Sequence, residues 1–393
     1  MRHLQSIPFT RLALFNFIVL SLWGVVLRYM QLAGLPFNYQ YLLHAHSHFA
    51  FSGWMFLAIA FLIARHCSNG KLSTEFCWVL ILAQVSAWGM LLSFSLQGYR
   101  AVSITFSTLF VLVGFRLAYL VWKSKGLHTA VNTPARLMIS YSLIFLCLSA
   151  LGPFALGPLA ARGMKAQSVY QDAIYFYLHF QLNGFMELAV LGLLARRLSI
   201  GMVTTDDKRW LHIFTLSVMP LYLIFCLWSH PASPVWWIAG TGASLHLLSW
   251  LVLATRYRDC WLQLSWPERL ALVALTLKCL LQLVVCFPLI GEWTFLNRNL
   301  IIGYIHLLTL GIVMPLLIGQ FIRGGYLRQN ASTARLLGVY MLLVVLYLFL
   351  LFLQPLLGLV GIIIPFYQLS LFIISVLFFC WGISIWIKTA ASL

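Results

Sequence analysis

The chain has 393 residues, of which 62% are hydrophobic and 8% charged, with a formal net charge of +17. Soluble domains carry roughly one quarter charged residues, so this composition excludes one. It equally excludes a disordered tail, which is poor in apolar side chains.

In chain order the apolar runs cover 10–32, 40–65, 74–99, 101–123, 134–160, 168–198, 210–229, 234–255, 267–291, 297–322, 336–355 and 364–388, twelve in all. Each is close to the ~20 residues that carry a helix across a bilayer. Helix is the form in which such a run satisfies its own backbone groups inside lipid. The expected fold is therefore all-α: a polytopic membrane protein of twelve transmembrane helices, with 1–393 as a single integral membrane domain. No small-residue cleavage site follows the first run, which reads as a retained helix.

The placement of the positive charge is informative. With the N-terminus inside, Lys123, Lys125, Arg196, Arg197, Lys208, Arg209, Arg256 and Arg258 fall on the inner side, while Arg28, Arg100, Arg162, Lys165 and Arg298 fall outside. This is the basic bias that orients membrane proteins. It predicts that both termini are cytoplasmic. The lipid bilayer accounts for the charge, and no nucleic acid is needed. The eight cysteines form no Cys-x-x-Cys, which excludes a zinc ribbon and a c-type haem attachment site. A phosphate-binding loop and a His-Glu-x-x-His helix are also absent, arguing against direct nucleotide use and metalloprotease chemistry.

Three times a histidine is followed by glycine five residues later and by arginine seventeen residues later: His48/Gly53/Arg65, His179/Gly184/Arg196 and His306/Gly311/Arg323. The copies lie on runs 40–65, 168–198 and 297–322, spaced by about one third of the chain, the mark of a repeated unit. Seventeen residues of helix rise about 25 Å. If each arginine marks the inner edge, the three histidines share an outer layer. His44 and His46 lie just above His48, and at 100° per residue His44 and His48 share a face that His46 does not. His246 lies deeper and His230 at an outer end. His3, His66, His128 and His212 fall toward the inner side with no shared role.

Ionisable residues within membrane helices are rare and mark function by default. Neutral imidazole ligates iron, copper and zinc. A lone intramembrane histidine, however, often only ties two helices together, the reading His230 and His246 invite when taken singly. Three in one register ask for more. On the sixth run Gln181 and Asn183 hydrogen-bond a ligand or a neighbouring helix. Glu187 pairs with mid-span Lys278 or relays protons. Glu292 is solvated or orients an imidazole.

Twelve helices in a threefold repeat of four, with histidines on the second, sixth and tenth, resemble subunit I of the haem-copper oxidases and nitric oxide reductases. The segments His44-Ala45-His46 with the run from Phe49 to Gly53, and His306 through Gly311 to Met314, more closely resemble the NnrS family, haem- and copper-containing membrane proteins linked to nitric oxide metabolism. The resemblance implies a pseudo-threefold arrangement of four-helix units. It implies a haem ligated by His306 and one of His44, His46 or His48, and a second metal site, with copper, at His179 supported by His246 or His230. A diatomic gas ligand (nitric oxide or dioxygen) and an electron donor or partner subunit follow from the same likeness. The chain departs from the oxidases. No second histidine lies two residues from His306, and no tyrosine lies four residues after His179. A complete oxidase centre is not expected, and catalytic turnover stays open. The alternatives are a catalytic oxidase or nitric oxide reductase subunit, and a metal or haem permease.

Overall fold

The computed structural model describes residues 7–68, 70–124, 133–200 and 204–389. His3, Lys125 and His128 lie outside them. Among the described residues there is no strand. The helices are α1 (Ile7–Tyr29), α2 (Tyr39–Cys67), α3 (Thr74–Gln97), α4 (Ala101–Lys123), α5 (Pro134–Ala161), α6 (Ser168–Arg197), α7 (Thr205–Ser229), α8 (Ser233–Arg256), α9 (Trp266–Val285), α10 (Pro288–Leu296), α11 (Arg298–Arg323), α12 (Ala331–Gly358) and α13 (Tyr367–Thr389). Eleven are long and apolar enough to cross a membrane singly, and α9 with α10 forms a bent pair. The chain is a multi-pass helical membrane protein.

The ninth run differs from the straight span expected over 267–291. Between α9 and α10 the chain turns through 109°. Pro288 has no amide hydrogen to continue the ladder, and a proline disfavours the helical conformation in the residue before it. Phe287 is accordingly extended, with φ −76 and ψ 122. Elsewhere polar side chains set the helix starts. Asn38 accepts the Tyr41 amide, and Thr204 with Asp207 and Ser265 with Glu268 form reciprocal capping boxes. Each such cap satisfies donors that a helix end leaves open.

Three helices are interrupted by π-helical segments of seven residues: Ala50–Phe56 in α2, Phe180–Met186 in α6 and Leu307–Val313 in α11. Each encloses the glycine of one sequence repeat and begins one or two residues after its histidine. The sequence repeat is thus a structural repeat of α, π and α. π turns are rare and concentrate at functional sites.

The chain divides into two compact units, Met1–Leu127 with Leu317–Leu393, and His128–Leu316. In the first, α1 pairs with α13. Gly382 lies against Phe17 and Ile18, Trp386 Nε1 donates to the Arg11 carbonyl, and the Phe17 and Trp381 rings meet edge to face. In the second, α5 and α6 meet along Gly152, Gly184 and Gly192. A methyl group at Gly184 would lie 2.6 Å from Phe145 Cβ, and one at Gly152 2.5 Å from the Ala173 carbonyl. Small residues admit this close backbone approach in a membrane.

Candidate functional site

In the second unit, α6 carries His179, Asn183 and Glu187 at four-residue spacing, bracketing and entering its π segment. All three are buried, with at most 1% exposure. A π turn holds more residues than an α turn, so residues four apart drift less around the axis and the three form one polar stripe.

At its lower end stands an ion pair. Lys278 Nζ of α9 lies 2.9 Å from Glu187 Oε2 and donates to Oε1 at 3.2 Å; both side chains are fully buried. The third direction around Nζ leads to His246 Nε2 of α8, at 3.5 Å. His246 Nδ1 faces Ser217 Oγ of α7 at 2.8 Å and the Phe214 carbonyl at 3.2 Å. Ser217 itself donates to the Phe214 carbonyl, so its oxygen is left to accept. His246 Nδ1 therefore carries a proton, and Nε2 faces Lys278. Four helices converge on this buried group, whose two opposite charges are paired, as a buried charge requires.

At the upper end, His179 Nε2 donates to the Val218 carbonyl at 2.8 Å. Val218 lies just ahead of the point where α7 tightens into a 3-10 turn over Tyr222–Ser229. A carbonyl only accepts, so Nε2 carries the proton and Nδ1 accepts from Asn183 Nδ2 at 3.3 Å. The Asn183 oxygen takes the Tyr304 hydroxyl of α11 at 2.8 Å, and Gln282 of α9 donates to that hydroxyl at 2.9 Å. Gln181 points the other way, to Ser149 of α5. His230 stands apart, its side chain 68% exposed at the end of α7, with Nδ1 3.5 Å from Glu292.

His306, at the end of the first α segment of α11, donates from Nδ1 to the Ile302 carbonyl one turn back, at 2.8 Å. The proton is thereby held on Nδ1 and the lone pair on Nε2. In the first unit the three histidines of α2 divide as the helical rotation predicts. His44 packs edge-on to Tyr99, centroids 4.8 Å apart, and His48 stacks on Phe94 at 4.4 Å. His46 faces α1, with Cε1 beside Gly24. Among the described residues, no three His, Cys, Asp or Glu side chains gather closely enough to hold a metal ion.

Several partners escaped the sequence. Asn16 of α1 donates to the Gly53 carbonyl at 2.6 Å, joined by Gln84 of α3 at 3.4 Å, so two buried amides grip the first π segment. Isolated Asn and Gln in apolar runs were the available signal. Ser217 gave none, because serine in a membrane helix most often bonds its own backbone. The chain matches no protein-family model and no curated protein, so a functional reading rests on these residues and their geometry.

Proposed function

We propose that this chain is a haem-binding integral membrane protein of respiratory or nitric-oxide-stress type, built from three repeats of four helices. Its place would be a bacterial inner membrane, with both termini cytoplasmic. The observation that carries this reading is the state of His306. A histidine that ligates a metal almost always donates its other ring N–H to a carbonyl or carboxylate, which fixes the tautomer and orients the ring. The Ile302 carbonyl does this for His306, immediately ahead of a π segment. Neutral imidazole is a standard axial ligand of haem iron, so the residue fits the group.

Of the α2 histidines, His46 is the candidate haem ligand, because it faces α1 beside Gly24 while His44 and His48 face Tyr99 and Phe94. A bound haem would supply reversible electron uptake and, where one axial position is open, binding of nitric oxide or dioxygen. An electron donor or partner subunit belongs to the same reading. The copper centre expected at His179 finds no gathered set of three His, Cys, Asp or Glu donors among the described residues. Both ring nitrogens of His179 and His246 have protein partners, and His230 lies at an exposed helix end.

The test is an absorption spectrum with metal analysis on the purified full-length protein, expressed with haem supply intact. A Soret band that His306→Ala removes and His230→Ala leaves is the expected result. Protein that folds and carries no haem would sink the proposal. A shift of the reduced spectrum with carbon monoxide would identify an open axial position.

A further inference from the structure

The first unit has a second set of donor atoms, on the face of α2 turned away from His46. His44 and His48 are four residues apart, one turn and about 6 Å along the axis. Both are half-buried, and both lie against the phenol of Tyr99. His48 Nε2 is 2.9 Å from the Tyr99 hydroxyl, and the His44 ring lies edge-on to the same tyrosine. Phe94 of α3 forms the apolar floor, stacked flat on His48 with an interplanar angle of 7°.

The turn bearing Tyr99 is braced. Gly98 has φ +64, and a methyl group there would lie 2.4 Å from the Tyr41 ring, so only glycine lets the turn sit against α2. Ser103 Oγ donates to the Gly98 carbonyl at 2.6 Å and accepts the Arg100 amide at 2.9 Å. The helix cap and this bond hold the tyrosine over the two imidazoles. Tyr99 is 53% exposed, so its end of the cluster is within reach of water. His44 is the sixth residue of α2, close to where the helix leaves the apolar layer.

We propose that His44, His48 and Tyr99 form a zinc(II) site at this end of α2. Two histidines four apart on one helix face chelate zinc in helical metal sites. Zinc takes nitrogen and oxygen donors in tetrahedral geometry and keeps water where the protein leaves a position open. Here the two imidazoles and the phenol oxygen supply three donors, and water the fourth. The site uses neither His46 nor His306, so it stands or falls apart from the haem reading.

The experiment titrates zinc into the purified full-length protein without a polyhistidine tag, read by competition with a zinc-sensitive dye. One zinc per chain is expected. His44→Gln or His48→Gln should weaken binding about tenfold or more, Tyr99→Phe by less, and His46→Gln not at all. Neither residue belongs to the fully buried core and glutamine keeps a polar side chain of similar reach, so these variants should keep the helical content and monodispersity of the parent. X-ray absorption at the zinc edge gives a check free of variants, with a first shell of nitrogen and oxygen expected. Thiolate scattering, or unchanged affinity in a folded His44→Gln/His48→Gln protein, would overturn the proposal.

Discussion

Replacing Lys278 by methionine asks how much the bilayer-embedded ion pair matters. Glu187 and Lys278 are both fully buried, and the ammonium meets both carboxylate oxygens and His246 Nε2. Methionine fills similar volume and removes all three donors at once. The carboxylate would then keep only His246 nearby, 3.8 Å from Oε1. Breaking a buried pair from one side costs about 3–5 kcal/mol. At about 1.4 kcal/mol per factor of ten, the folding equilibrium should fall by roughly two to three and a half powers of ten. Removing both charges, as Glu187→Leu with Lys278→Met, should be neutral or stabilising by about 1–4 kcal/mol. The assay is reversible unfolding in mixed micelles with rising dodecyl sulfate, followed by tryptophan fluorescence and helical circular dichroism. A single variant within about 0.5 kcal/mol of the parent, the range of a neutral surface change, would refute the reasoning. So would a double variant as unstable as the single.

Two further substitutions test the packing around α6. Gly184→Ala places a methyl 2.6 Å from Phe145 Cβ. That atom is tied to its own backbone and cannot swing away, so a loss of about 1–3 kcal/mol is expected in the same unfolding assay; an unchanged midpoint would show that α5 and α6 separate easily. Asn183→Leu takes away the acceptor of the Tyr304 hydroxyl proton, leaving that oxygen only its Gln282 donor, and the donor to His179 Nδ1. About 1–3 kcal/mol should be lost for each group left unsatisfied, and amide hydrogen exchange should quicken along α6 and α11. Exchange unchanged in both helices would remove Asn183 from the network.

Hydropathy made the helical spans legible because the apolar run is set by bilayer thickness, a quantity independent of the rest of the fold. The bend at Pro288 was also written locally, although the run continues apolar through it. The Glu187–Lys278 pair could be anticipated because two opposite charges at mid-span are costly apart. The π segments could not. An α turn and a π turn accept the same apolar residues, and the difference lies in which carbonyl each amide reaches. Asn16 and Gln84, which meet at the Gly53 carbonyl, lie 68 residues apart. Nothing in either local sequence names the other.

The three copies of the repeat share a register but do different work, and their neighbouring residues explain why. Four residues after the histidine stand Ser52, Asn183 and Leu310; eight after it stand Phe56, Glu187 and Met314. Only the second copy has polar side chains able to engage the histidine and continue the stripe. His179 is accordingly consumed, one nitrogen on Val218 and the other on Asn183. In the third copy leucine and methionine stand at these positions, and His306 Nδ1 donates to the Ile302 carbonyl behind it. In the first copy Ser52 turns back to the His48 carbonyl, and the ring goes to Tyr99 and Phe94 instead. The residues at the fourth and eighth positions after each histidine thus go with where its ring is bonded: within the stripe of its own helix for His179, to the carbonyl behind it for His306, and to Tyr99 for His48.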